Sequence, residues 1–299
     1  ISIIYKTIDP ADNIVDASGV VIIPKVSGVS PLISLHHGTQ SKRSNVGSVD
    51  FRYAFDGIIA ASVGYVASVP DYLGFGVSTM LHPYLHEETS ASCSIDMLMA
   101  ARQYCEENDI LLNDQLFLGG YSQGGYVTMA MHKELDANYT DEFNVTASAP
   151  MAGPHDLFGT ALFIIENDGY PRPSFLSFLA LAYNEVYGWN KLDEIFKNPY
   201  NKTIPIFFDG SLSTWEIDDS LPEKLSSLFK EDFIVDLHNN PLNYFREALI
   251  KNSPLNWAPR APITLIHGDA DTYVPYQNAI TARSVLLLNG ASSVDVVTI

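Results

Sequence analysis

Short continuous apolar runs alternate with longer helix-like ones along the first half of the chain. VVIIP (20–24), PLISLHHG (31–38), YVASVPDY (65–72), QLFLGGYS (115–122) and VTASAPMAG (145–153) read as strands. DFRYAFDGIIAAS (50–62), ETSASCSIDMLMAARQYCEEN (88–108) and GYVTMAMHKEL (125–135) read as helices between them. Apolar runs of this length separated by helices predict an α/β fold with a mostly parallel sheet covered on both faces. The rhythm resumes late, with PITLIHGDAD (262–271), a helix over YQNAITARSVLLL (276–288) and the strand SSVDVVTI (292–299). From 154 to 258 it breaks. That stretch is rich in Pro, Asn and aromatic residues, and carries helical patterns at FLSFLALAYNEVY, LPEKLSSLF and LNYFREALI. The expected organisation is a core of residues 1–153 and 259–299, interrupted by a helical insertion at 154–258.

Length and charge narrow the reading. At 299 residues the chain is long enough for one large domain with an insertion. It carries 35 acidic against 17 basic residues, a formal charge of -18, which argues against nucleic acid or an anionic membrane as partner. The longest apolar stretches, FLSFLALAY (175–183) and GTALFII (159–165), fall short of the roughly 20 residues that span a bilayer. The chain opens at Ile1 with no Met and no basic leader, which reads as a processed or trimmed end and leaves export open. With the acidic surface, a secreted or periplasmic protein is expected. Cys93 and Cys105 lie twelve apart in one helical pattern, about 18 Å along its axis at 1.5 Å per residue, so two free thiols are expected.

The chemistry centres on LFLGGYSQGGYVTMA (116–130). Gly120-Tyr121-Ser122-Gln123-Gly124 matches G-x-S-x-G, with a buried strand before it and a helix after it. In that context a sharp turn holds the serine in a strained conformation with its hydroxyl clear at the carboxyl edge of the sheet. The helix that follows points the Gln123 N–H at a developing oxyanion. Without that context the pattern reads only as a tight small-residue turn. An acid should follow the serine in sequence. LIHGDADTYVP supplies Asp269 and Asp271 at the end of a late strand, and Asp271 is chosen from its place in H-G-x-x-D-x-x-V-P, with Asp269 in reserve. Such an acid orients an imidazole and stabilises its cation, although the same residues could simply cap the next helix. SLHHGTQ (34–40) offers the Thr39 N–H as a second oxyanion donor. His36 and His37 precede the acid and read as loop-orienting or space-filling residues.

Together HHGTQ, PDYLGFG (70–76), HPYLHEETSA (82–91), GYSQGG (120–125) and HGDADTYVPY (267–276) resemble the α/β-hydrolase superfamily, and within it the secretory lipase and esterase family. The resemblance runs from residue 31 to the end. It implies a helical cap at 154–258 and hydrolysis of carboxylic esters through an acyl-enzyme, without metal or cofactor. The family's base is a histidine in a loop after the last strand. Here the histidines stand at 36, 37, 82, 86, 132, 155, 238 and 267, so none follows Asp271. The expectation is that the base lies past Ile299; the alternative is a non-catalytic, ligand-binding relative. His155, in GPHDLF, precedes the acid and reads as structural or pocket-lining, and His238 as a loop residue.

Other patterns carry less. His82 and His86, four apart with Glu87 beside the second, lack further ligands for a metal. GFGVST lacks the third glycine of a dinucleotide fingerprint, and Asp71 reads as a loop organiser. Asn138, Asn144 and Asn201 begin N-x-T triplets, which chance also produces. The apolar segments of 154–258 read both as that unit's own core and as a wall for an acyl chain. A serine peptidase of prolyl-oligopeptidase type is the rival enzyme, because it shares G-x-S-x-G-G and H-G-x-x-D. An ester substrate, small or lipid, is the expected partner.

Overall fold

The computed structural model describes residues 1–26 and 28–299. β1 (Ser2–Ile8) and β2 (Ile14–Ile22) form an antiparallel hairpin at one edge of the sheet. β3 (Ser30–His36) follows, then a 3-10 turn at Phe51–Ala54 running into α1 (Phe55–Ser62). Next come β4 (Val66–Pro70), α2 (Glu87–Glu107), β5 (Leu112–Tyr121), α3 (Gln123–Asn138) and β6 (Val145–Met151). The chain is then helical: α4 (Leu157–Glu166), α5 (Pro173–Val186), α6 (Leu192–Ile195), α7 (Tyr200–Phe207), α8 (Thr214–Ser220), α9 (Leu225–Leu228), α10 (Glu231–Asn239) and α11 (Tyr244–Lys251). It returns to the sheet with β7 (Ile263–His267), α12 (Gln277–Leu288) and β8 (Val294–Thr298).

The eight strands lie in the order β1-β2-β4-β3-β5-β6-β7-β8. All pairings from β4 through β8 are parallel, while β1–β2 and β2–β4 are antiparallel. Parallel strands must be reconnected by crossovers, and this places helices on the two faces. α2 and α3 cover one face through Met97, Leu98, Met131 and Leu135 against Val21, Leu32, Leu116 and Leu118. On the same side α12 packs Ala279, Ala282 and Leu286 against Ile263 and Leu265. The opposite face carries α1, whose Ala60 meets Ala67 and Val69 of β4. Cys93 and Cys105 are free and buried in α2.

The helical stretch has its own apolar core, which also reaches Tyr72, Phe75, Tyr84 and Tyr126 of the sheet unit. Local chemistry sets its helix starts. The Asp156 carboxylate accepts from the Gly159 N–H (2.9 Å), Asn243 accepts from the Phe245 and Arg246 N–H groups, and Ser213 with Glu216 forms a capping box. Two differences from the sequence pattern stand out. LPEKLSSLF forms only the single turn Leu225–Leu228. The opening ISIIYKTI is a strand, with Tyr5 and Thr7 turned inward, and β2 starts six residues before VVIIP. Among the described residues, no helix is long and apolar enough to cross a membrane.

Candidate active site

β5 ends at Tyr121 and α3 begins at Gln123, so Ser122 alone makes the turn between them. Its backbone sits at φ 58°, ψ -120°, a region that L-residues with a Cβ avoid. Both sides of the turn are anchored. The Ser122 N–H donates to the Met151 carbonyl (2.8 Å), and its own carbonyl accepts from the Tyr126 N–H (3.2 Å). The glycines around it are steric requirements. A Cβ at Gly120 would collide with the Gly124 carbonyl, and one at Gly124 with the carbonyl of His36 at the end of β3.

Ser122 lines two adjoining spaces. The first is an open cleft of about 210 Å³, bounded by the β3 loop (Gly38, Thr39, Gln40), by Tyr121 and Ala152, by Asp271, Tyr273 and Val274, and by Arg172, Phe175 and Trp215. The second is an apolar slot of about 30 Å³ between α4 and α5, walled by Leu157, Ala161 and Ile164 on one side and Leu176 and Leu179 on the other. The spacings i, i+4, i+7 and i, i+3 put each set on one helix face. Both spaces open at the carboxyl ends of the parallel strands, where α/β sheets bind ligands.

Asp271 faces the cleft from the loop after β7. Its Oδ1 accepts from the Tyr273 N–H (2.8 Å) and the Val274 N–H (3.1 Å). Its Oδ2 lies 3.5 Å from Nε2 of His267. Burial alone would raise this carboxyl, but the His267 imidazole and the two backbone N–H groups outweigh it, and the net shift is below the ordinary carboxylate range. Asp269 is exposed and lines neither space; its N–H donates to the Ile299 carbonyl (3.2 Å).

Thr39 and Gln123 approach the serine from the β3 loop and the first position of α3. Among the described residues, neither backbone N–H donates to a protein group. Their side chains are held from behind. The Thr39 hydroxyl pairs with the Tyr84 hydroxyl at 2.8 Å, and the Gln123 amide nitrogen lies 2.7 Å from Nε2 of His82.

Among the described residues, no histidine lines either space. His36 is buried between Ser34 and Thr128 (3.0 and 2.8 Å), and His132 bonds Ser148 (2.9 Å). Burial drives His36, His82, His132 and His155 down to about 3 each, so all four are neutral near pH 7. His37 packs at a tilt against Tyr72, ring centroids 4.1 Å apart, and His86 bonds Thr89 (3.0 Å) rather than sharing a ligand with His82. His238 is exposed on α10. His267 donates Nε2–H to the Val274 carbonyl (2.9 Å), bracing the loop that carries Asp271. Asp71 ties loops together, accepting from the Ser18 hydroxyl (2.6 Å) and the Ser48 N–H (3.2 Å).

Arg172 was not singled out by the sequence pattern. Its guanidinium lies 3.9 Å above the Trp215 ring, and one nitrogen lies 3.2 Å from Asp218. It is buried at the cleft wall although cationic. The available signal was its place between two prolines, in GYPRPS, inside a region otherwise read as apolar.

No protein-family model and no curated protein matches the chain. Solved structures do. A protein of Legionella pneumophila superposes with a TM-score of 0.93 at 32% identity, over 99% of this chain and 81% of its own. The rice cell wall degrading esterase LipA from Xanthomonas oryzae gives 0.92 at 32% identity, over 99% of this chain and 82% of its own. Candida antarctica lipase A shares the fold, at a TM-score of 0.76 and 19% identity over 99% of this chain and 71% of its own. With this sheet order and that identity along nearly its whole length, the chain belongs to the lipase- and esterase-like family of the α/β-hydrolase superfamily.

Proposed function

We propose that the protein is a serine hydrolase that cleaves carboxylic esters through an acyl-enzyme, with Ser122 as nucleophile. One observation carries this: a lone serine, strained at φ 58° on a strand–helix turn, opens onto both an open cleft edged by Asp271 and Arg172 and an apolar slot. The turn acts as a nucleophile elbow and the 154–258 helices as its cap. The acyl chain lies in the slot between α4 and α5, and the alcohol portion in the cleft beside Arg172 and Trp215.

Ser122 Oγ attacks the ester carbonyl, and the tetrahedral oxyanion takes hydrogen bonds from the Thr39 and Gln123 N–H groups. A base must accept the serine proton and return it to the leaving alcohol. Asp271, ionised and aimed into the cleft, orients that base and stabilises its cation. We place the base on chain following β8. The Ile299 carbonyl is bonded to the acid loop, so residues continuing from β8 would arrive beside Asp271.

A fluorophosphonate probe and a p-nitrophenyl ester series on the natural-length protein test the proposal. One adduct by intact mass, ester turnover, and loss of both in Ser122→Ala are expected. Turnover of aminoacyl-p-nitroanilides in preference to esters would replace the esterase reading with a peptidase. No adduct and no turnover would leave a ligand-binding protein.

A further inference from the structure

We infer that the turn His82-Pro83-Tyr84 is the spacer of the oxyanion hole, its two flanking side chains acting as positioning residues for the two donors. The inference rests on the esterase reading above. Thr39 and Gln123 each lie three residues beyond the paired positions His36 and Gly120 of β3 and β5, so the sheet brings them close, and contacts from behind set their final placement. One short turn reaches both: Tyr84 through the Thr39 hydroxyl at 2.8 Å, and His82 through the Gln123 amide at 2.7 Å.

The hydrogen-bond directions are set. The ring Nδ1 of His82 lies 2.7 Å from the Leu73 carbonyl, which can only accept, so Nδ1 carries the proton. Nε2 is then a lone pair, and the Gln123 amide nitrogen donates to it. Burial keeps the ring neutral, with its pKa down at about 3, so this direction holds across the working pH range. The other end of the same amide, Oε1 of Gln123, is buried without a partner. The Gln123 side chain therefore hangs from His82 alone.

The turn is rigid enough to serve as a spacer. His82 and Tyr84 are 5% and 3% exposed. The His82 ring is enclosed by Phe75 at 4.7 Å and Phe178 at 5.8 Å, and Tyr84 stacks on Phe178 at 4.8 Å. Within the turn the Tyr84 N–H bonds the His82 carbonyl at 2.8 Å. A rigid body touching both donors from behind fixes where their N–H groups point; the Tyr84 ring also lines the apolar slot, and Tyr84→Phe keeps that ring while removing the hydroxyl.

The test uses the natural-length protein with Tyr84→Phe, His82→Phe and Gln123→Met, and with His86→Phe as a buried-histidine control away from the site. Kinetics on p-nitrophenyl acetate are read beside the inhibition constant of an alkyl trifluoromethyl ketone, whose adduct carries the oxyanion. In the three variants kcat is expected to fall about 10- to 100-fold with KM within about twofold, since misplacement by an ångström costs that order in rate. The ketone should weaken by the factor that kcat/KM loses, and His82→Phe with Gln123→Met should be no worse than either alone. His86→Phe should keep wild-type kcat. Unchanged kcat in folded Tyr84→Phe and Gln123→Met overturns the inference while leaving the esterase reading intact. Losses matched by His86→Phe also overturn it, as general destabilisation. A wild type that neither hydrolyses esters nor takes the fluorophosphonate overturns the esterase reading, and this inference with it.

Discussion

Ser122 holds a backbone conformation that costs a residue with a side chain about 1–3 kcal/mol. Glycine is free of that cost but loses more entropy on folding, so Ser122→Gly should stabilise the protein by about 1 kcal/mol in thermal unfolding while abolishing ester turnover. Ser122→Ala should abolish turnover with no such gain, since its Cβ retains the strain. Gly124→Ala behaves oppositely. Its methyl has nowhere to go but into the His36 carbonyl, so a loss of about 3 kcal/mol or more is expected in denaturant titration. Ser122, Thr39 and Asp271, which share the cleft, were legible in sequence because each sits in a short local pattern at the end of an apolar strand. The bracing of Asp271 by His267 and the approach of Arg172 to the cleft were not. They depend on how loops distant in sequence meet, and periodicity carries no information about that.

At the scale of elements, the slot between α4 and α5 is narrow, with about 30 Å³ free. A long acyl chain can enter only if the two helices part. p-Nitrophenyl acetate should therefore be turned over with a higher kcat/KM than the octanoate. Leu179→Ala, which removes a wall of the slot, should narrow that ratio about tenfold, at a stability cost of about 2–4 kcal/mol. Parallel ester kinetics and thermal melts on the two proteins check both parts. The strands of the sheet were readable because a parallel sheet buried on both faces writes continuous apolar runs. The hairpin at the edge was only half readable, since β1 has one wet face and its Ile4 is exposed. Among the helices of 154–258, α5 and α11 followed their apolar pattern, whereas short turns such as α9 are set by packing against neighbours that the sequence does not locate.

For the molecule as a whole, the buried histidines dictate how it meets acid. His36, His82, His132 and His155 titrate near 3 when folded but near 6.5 when unfolded. Between those values the unfolded chain binds more protons, so their contribution is complete above pH 6.5 and is lost as pH falls toward 3. The four together should remove about 5 kcal/mol per pH unit through the middle of that window. Melting temperatures measured from pH 7.5 to 4 should accordingly drop steeply below pH 6, and a flat profile would contradict neutral burial of these rings. The insertion of eight helices between β6 and β7 has a kinetic side as well. Pairing Met151 with Ile266 closes a loop of about 115 residues, which costs about 1 kcal/mol more than closing the roughly 30 residues between Gly120 and Pro150 of β5 and β6. During refolding, Ser122 should be seated in its turn while the Asp271 loop is still unattached, so backbone amides of β7 should gain protection from hydrogen exchange after those of β5. The scaffold of Ser122 is then built early in folding, and Asp271 joins it late.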